Sequence, residues 1–544
     1  MLRRALPFVL TLAIVASPAA AQTDPEPESK PLVERIDEGF GKYVVGPLAA
    51  VLFFDVVFWD NDDPAYADTN IAIRWLAQGS LAGGDHRHTS VPIVVLWLVL
   101  GALFFTLRFG FINLRGFWHA VMITSGKYDR HDHKGEVSHF QALSSALSAT
   151  VGLGNIAGVA IAVSTGGPGA VFWMIVAGFL GMSSKFTECT LGMMYRTIDA
   201  DGRVLGGPMR YLSDGLAEIK RGTLGKVLAG VFAVMCIGGS FGGGNMFQAN
   251  QAFAQTARVV PWLADKSWLF GIVVAALVGL VILGGIKRIG QVAGAIVPVM
   301  CVIYLVAGLA ILAVNAAQIP HAFGVIFESA FTAQAGIGGV IGVLVTGFQR
   351  AAFSNEAGIG SASIAHSAAT TDEPISEGLV ALLEPFIDTI VICTMTGLVV
   401  VVSGEYLHVP EGDSSTMRGV LMTSAAFESV FSWFPYLLAI AVFLFAFSTM
   451  ISWSYYGERS MVYLFGDRAS LAYRILFLCF TVLGSVLTLG SVMDFSDLMI
   501  LGMAFPNILG LLLLQGQVAD RLRDYWARYK SGALLRSAKA PAKS

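Results

Sequence analysis

Runs of about 20 apolar residues, set apart by short polar and charged stretches, fill the chain from Val91 almost to its end. A helix of that length crosses the hydrocarbon of a bilayer, so each run predicts a membrane span. The runs fall at 91–110, 143–165, 169–194, 226–247, 268–286, 291–314, 337–366, 377–403, 434–456, 473–491 and 496–516. They predict an all-α polytopic membrane protein of about eleven spans. Two of these runs break their own pattern. The stretch LSSALSATVGLGNIAGVAIAVSTGGPG, 143–169, is interrupted by Gly152, Gly154 and Asn155 and ends in Gly166-Gly167-Pro168-Gly169. In the run that ends near Ala369, apolar residues meet Phe353-Ser354-Asn355-Glu356, then Gly358 and Gly360. Both are poor continuous helix by propensity.

An unwound backbone in hydrocarbon strands N–H and C=O groups at several kcal/mol each, so it persists only where it lines a cavity or binds something. Small residues also let membrane helices pack closely, which would explain a single such run as well. Two interrupted runs, each opening one half of the chain, instead point to a secondary transporter built from repeats. Spans two to six (143–314) and seven to eleven (337–516) then form two sets of five. An odd number of spans inverts the second set relative to the first, giving a 5+5 inverted repeat with core helices one and six broken. The 91–110 run is one additional span ahead of them.

Charge orients this arrangement. Arg115, Lys127, Arg130 and Lys134 follow the first span, and Arg196, Arg203, Arg210, Lys220, Arg221, Lys226, Lys287, Arg288, Arg459 and Arg468 fall in later loops on the same side. The opposite loop 315–335 has no Lys or Arg, and 404–433 has only Arg418. The positive-inside rule places the basic loops and the basic tail 517–544 in the cytoplasm, the tail against anionic lipid. The first residues, MLRRALPFVLTLAIVASPAAAQ, have the form of a secretory signal peptide, with cleavage expected after Ala21. The alternative is an uncleaved anchor. Either way the inner membrane of a bacterium is implied, with 22–90 as an acidic extracytoplasmic segment whose apolar patch 44–59, carrying Asp55, is interfacial or packed on the domain edge.

Composition adds exclusions. The chain is 55% hydrophobic and only 13% charged, with a net charge of -3, which argues against a nucleic-acid partner. Its five cysteines all sit in apolar runs without metal-ligand spacing, so neither a disulfide framework nor a metal centre is read. No organic cofactor is implied, and the sequence carries no sign of oligomeric state.

Candidate chemistry gathers at the breaks. At Gly152-Leu153-Gly154-Asn155 a new half-helix would begin with free N–H groups, a site for a carboxylate. The same residues miss the spacing of a dinucleotide loop. In FSTMISWSYY, Ser448 and Thr449 are hydroxyls in an apolar helix; such groups commonly bond back to their own carbonyls, yet they also suit a hard cation such as sodium. Trp453, four residues on, shares a face with Thr449 and could close a small pocket, or simply pack. Asn245 and Gln248, three apart, share a helix face after a run of glycines. They read either as helix-end amides or as acceptors for a bound ammonium. Glu188, Glu356, Glu384 and Asp388 are costly in hydrocarbon and must be paired, protonated or turned to a cavity. Glu188 follows Lys185 by three residues and could pair with it, and Glu356 could serve Arg350 or the exposed backbone ends at the break.

These residues carry a family resemblance. ALSATVGLGNIAGVAIAVSTGGPGAVFWM, KFTECTLGMMYR, GNMFQANQ, FSNEAGIGSASIAH, EPFIDTIVICTMTGL, FSTMISWSYYGE and FPNILGLL, spanning about 91–520, resemble the alanine or glycine:cation symporters, also called sodium:alanine symporters. That family is similar in fold to the leucine transporter, whose group shares the GLGN motif, and it moves small amino acids with sodium. The resemblance implies that the amides of Leu153 and Gly154 hold a substrate carboxylate beside Gly152 and Asn155, and that Gln248, Thr449, Trp453 and the backbone near Gly358 contact the amino acid. Asn245 and Phe353 join that set. It also implies a sodium ion among the carbonyls of Ser148 and Val151 and the hydroxyls of Ser448 and Thr449, with Phe445 beside them. The N-terminal 90 residues go beyond the usual family core.

The expectation is therefore sodium-coupled uptake of alanine or glycine by alternating access. Its competitors are a proton-coupled or exchange-mode permease of the same fold, and a membrane receptor that transports nothing. An intramembrane hydrolase would need a constellation for which His366 is the sole candidate, and neither HExxH nor GxSxG accompanies it. No enzyme activity is expected.

Overall fold

The computed structural model describes residues 52–54, 91–129, 135–199, 202–332, 337–408 and 419–539. The expected signal peptide and nearly all of 22–90 lie outside the described residues. Among the described residues, seven helices are long and apolar enough to cross a membrane: Gly169–Met194, Gly222–Val259, Gly285–Val314, Pro374–Ser403, Phe434–Phe465, Ala469–Val486 and Leu489–Lys530. An eighth span is a bent pair, His139–Thr150 and Gly154–Gly166, which meet at 51°. Two shorter apolar helices, Ile93–Arg108 and Ser267–Ile282, and the helix Ile337–Asn355 stand among them. The molecule is thus an all-α membrane protein with a broken helix. Its one described sheet is a small hairpin, Thr197–Ile198 with Val204–Leu205.

Burial separates a centre from a rim. In the 434–465 helix 72% of the apolar window is buried, against 28% in the 469–486 helix, which turns Leu471, Ile475 and Leu476 outward. The broken 139–150 helix packs on both the 285–314 and 434–465 helices, while the 169–194 helix packs on 337–355 and on the start of 374–403. Helix 93–108 leans on the outside of 169–194 and 504–530, where Gly101 leaves space for Ile508. Its outer stripe of Leu96, Leu100, Leu103 and Leu107 is exposed at helical spacing, as a lipid-facing surface requires.

Several stretches read as loops form helices. Ile319–Phe331 is amphipathic, burying Ala322, Ile326 and Ala330 and exposing Phe323, Phe327 and Phe331. Its start is set by Pro320 in the first turn, where a missing N–H costs nothing. Val420–Glu428 and Phe117–Thr124 are likewise helical.

Candidate substrate and cation site

The broken helix starts with a capping box: Ser138 Oγ accepts from the Gln141 amide at 3.2 Å, and Gln141 Oε1 accepts from the Ser138 amide at 3.0 Å. It runs in register until the Val151 amide donates to the Leu147 carbonyl at 2.7 Å. Val151 itself leaves helical geometry (φ -74, ψ 84), which turns its carbonyl out of the ladder. The chain resumes as a wide turn over Gly154–Gly158. Side chains take up the amides freed at this break. Asn155 Oδ1 accepts from the Gly152 amide at 2.8 Å, and Gln248 Oε1 accepts from the Leu153 amide at 3.2 Å. A carboxylate at this break would replace those two amide oxygens.

Facing it, the 434–465 helix brings hydroxyls to carbonyls. Thr449 Oγ1 donates to the Ser148 carbonyl at 3.1 Å, and Ser148 Oγ donates to the Ser448 carbonyl at 2.7 Å. Ser448 Oγ takes the back-bond common to membrane serines, donating to the Phe445 carbonyl at 3.0 Å. Ser148, Val151, Phe445, Ser448 and Thr449 are all buried, and none carries a charge. Neutral oxygens from two helices crossing at an unwound turn fit a hard monovalent cation by donor chemistry. Close approach here needs glycine: a Cβ on Gly152 would lie 2.4 Å from Thr449 Oγ1 and 3.3 Å from Gln248 Oε1.

The remaining expected residues divide. Phe353 packs edge-on against Phe247 at 5.1 Å and reaches within 3.6 Å of a Cβ built on Gly154. Asn245 and Gln248 do not share a face. A wide turn over Gly242–Met246 shifts the register, so that Asn245 Nδ2 donates to the Phe477 carbonyl at 2.6 Å while Gln248 meets the break. Trp453 is buried against Gly239 and Gly244, and its Nε1 donates to Glu356 Oε1 at 2.9 Å. Gly358 stands apart, next to Leu98 and Ile508, with its carbonyl accepting from Asn507 at 2.9 Å.

The second break is of another kind. Glu356, Gly358 and Gly360 all take positive φ (56°, 83° and 95°) between Ile337–Asn355 and Ala362–His366. A left-handed glutamate is held against its steric preference, here by Ser361 and Trp453, which both donate to its carboxylate. Arg350 is not its partner; Arg350 pairs with Asp497, which also accepts from Gln349 at 2.9 Å. Lys185 lies 3.9 Å from Glu188 but 3.0 Å from Glu384, so its nearer partner is not the one sequence spacing suggested. Asp388 clasps the two breaks together. Its side chain accepts from Asn155 at 2.7 Å and from Ser354 at 2.9 Å. Nothing in local sequence marks that role, because its partners are 233 and 34 residues away.

Among the described residues, the donor atoms of Cys189, His366 and Glu384 are close enough together to hold a metal ion. The set does not fit one. Both nitrogens of His366 are already engaged, by Glu377 and Glu384 at 2.5 Å each, and Lys185 is beside Glu384.

Membrane helices interrupted where hydroxyls and carbonyls converge are the build of a secondary transporter. The model of the sodium:alanine symporter family matches residues 82–539, and the chain belongs to that family. It is accordingly a sodium-coupled amino-acid symporter and not an enzyme. The sodium/alanine symporter AgcS of Methanococcus maripaludis is 42% identical over 438 residues, covering 80% of this chain and 94% of AgcS. The amino-acid carrier protein AlsT of Bacillus subtilis is 36% identical over 81% of this chain and 92% of its own. Among solved structures, MhsT in complex with L-phenylalanine covers 70% of this chain and 98% of its own at 14% identity and a TM-score of 0.46, a likeness too slight to transfer any residue.

Proposed function

We propose that this chain carries alanine or glycine into the cell with sodium, by alternating access. The observation that carries the reading is the reciprocal bonding of Ser148 with Ser448 and Thr449 directly below the amides of Gly152 and Leu153. A cation held there would sit next to the end of the substrate that is negative. Sodium binding and carboxylate binding would then support one another through a few ångströms of low-dielectric protein.

In this reading Ser148, Val151, Phe445, Ser448 and Thr449 supply oxygens to sodium. Gly152, Leu153, Gly154 and Asn155 present the carboxylate site, while Gln248 and Phe353 border the remainder. Trp453 bounds the side-chain end, and Asn245 and Gly358 are left out of the pocket. The eleven helices form two inverted repeats, 143–314 and 337–516, with 91–110 as an additional span, in the inner membrane of a bacterium. Residues 1–21 are a signal peptide, 22–90 are extracytoplasmic and 517–544 are cytoplasmic. One sodium crossing about 100 mV contributes about 2.3 kcal/mol, or roughly fifty-fold accumulation of substrate.

The deciding measurement is labelled alanine uptake into proteoliposomes under a sodium gradient, a proton gradient, or neither. Uptake that requires sodium supports the proposal. Uptake driven equally by protons without sodium overturns sodium as the ion that carries alanine, and no uptake of alanine or glycine under any gradient rejects them as the substrates.

A further inference from the structure

Gly181 and Gly192 let the 169–194 helix lie directly on the second break: a Cβ on Gly181 would be 2.7 Å from that of Ala357, and one on Gly192 2.9 Å from the Ser363 carbonyl. Between those two contacts the helix buries Lys185 and Glu188 completely. From there titratable side chains in hydrogen-bond contact lead outward as far as His139. Lys185 Nζ is 3.0 Å from Glu384 Oε2, and Glu384 Oε1 is 2.5 Å from His366 Nε2. His366 Nδ1 is 2.5 Å from Glu377 Oε1, and Glu377 Oε2 contacts His139 Nδ1. His139 Nε2 lies 3.9 Å from Asp129, whose side chain is 46% exposed. Asp129 belongs to the loop read as cytoplasmic.

At the inner end, polar atoms are left over. Lys185 Nζ, Glu188 Oε1, Glu384 Oε2 and Tyr456 Oη are buried without an aligned hydrogen bond. Such atoms in a native interior point to water between them. Charge points the same way. Lys185 faces the buried carboxylates Glu188, Glu356 and Glu384 and lies near Asp388, while Glu377 faces His139 and Arg196, so even with His366 protonated the inner carboxylates outnumber the positive charges in low dielectric. Arg196 is near Glu377 but is held by the carbonyls of Ser367, Ala369 and Thr371. Cys189 adjoins Lys185 and brings no positive charge.

We propose that the cluster of Lys185, Glu188, Glu356 and Glu384 is a hydrated proton-binding site distinct from the sodium site, and that His139, Glu377 and His366 are its path to the cytoplasm. A proton arriving at Asp129 passes to His139. Each later transfer breaks one N–H or O–H bond and forms one on the next group, through Glu377 and His366 to Glu384. The net change is one proton moved inward. At the inner end the Glu356 carboxylate accepts from Ser361 and Trp453, so a proton passed on from Glu384 to Glu356 weakens both bonds at the hinge of the second break.

The inference rests on the transporter reading only for its transport arm, and an infrared arm stands without it. In sodium-free, substrate-free wild-type protein, a carboxylic-acid C=O band is expected to grow as pH falls from about 8 to about 6, where a buried, closely spaced set of carboxylates takes up a proton. It should shrink in Glu188→Gln or Glu384→Gln. In proteoliposomes of defined sidedness, sodium-driven alanine uptake should fall about threefold or more as the cytoplasmic-side pH rises over that range, and His366→Gln should flatten the profile without changing sodium half-saturation. A merely structural network would lower the rate and leave the profile's shape. If His366→Gln does not fold, His139→Asn at the accessible end replaces it. A wild-type protein with no titrating carboxyl band, or a pH profile identical in the variants, overturns the proposal. A titrating band without any sodium-driven alanine uptake would keep the proton site and remove the alanine reading.

Discussion

The two interrupted helices differ in what holds them open. Around Gly152 the break is closed by neutral groups: the Asn155 and Gln248 side chains on the amides, and the Ser148, Ser448 and Thr449 hydroxyls on carbonyls. Around Glu356 it is closed by charge and strain, with three residues at positive φ and a carboxylate bonded by Ser361 and Trp453. A neutral break can accept an ion and a zwitterion without first displacing a charge of its own. A charged one is costly to rearrange and so suits a hinge with few alternative states. Asp388 bonds to both through Asn155 and Ser354, which ties the position of one to the other.

Removing the oxygens of the neutral break is the harshest way to test this division. Ser448→Ala with Thr449→Ala should raise sodium half-saturation about 10- to 100-fold, since an oxygen on a charged partner is worth roughly 1.5 to 3 kcal/mol. Thr449→Ala alone should account for most of it, because Thr449 reaches across to the Ser148 carbonyl while Ser448 Oγ is turned to its own helix. Sodium titrations of uptake measure both, and an unchanged half-saturation in the double variant would move the cation elsewhere.

The charged break is probed by Glu356→Gln, which keeps shape and removes charge. The Trp453 and Ser361 bonds each lose their ionic acceptor, and we expect maximal uptake to fall about tenfold with sodium half-saturation within about twofold of wild type. A sodium defect as large as that of Thr449→Ala would erase the distinction between the breaks.

Trp453 joins the two regions, one turn beyond Thr449 on its helix and bonded to Glu356. Trp453→Ala should improve leucine relative to alanine by roughly 1 to 3 kcal/mol if the ring bounds the side-chain pocket. Competition of labelled alanine uptake by leucine reads this directly, and an unaltered profile means that the ring only packs on Gly244.

A control lies outside both breaks. His119, on the short Phe117–Thr124 helix, contacts Tyr525 Oη at 2.8 Å, and burial, with Lys127 nearby, pushes its ring down to about 4 from 6.5. The folded state therefore favours the neutral ring. Its contribution is complete above about pH 6.5 and is lost as pH falls toward about 4. Thermal unfolding of His119→Asn should show a weaker acid dependence across that window, with alanine uptake at neutral pH unchanged.

The sequence by itself determined the membrane class and the two places where helix must fail, because apolar run length and glycine placement are local properties that the bilayer enforces. It also determined that Ser148, Ser448 and Thr449 belong together, through a family resemblance rather than through spacing. Tertiary structure decided the partners. The wide turn at Gly242–Met246 separated Asn245 from Gln248, a change of register that a count of three residues does not reveal. Lys185 chose Glu384 over Glu188, Arg350 chose Asp497 over Glu356, and Asp388 found Asn155, all across helices distant in the chain. A buried charge takes the partner that packing brings to it, and packing is set by how the helices cross.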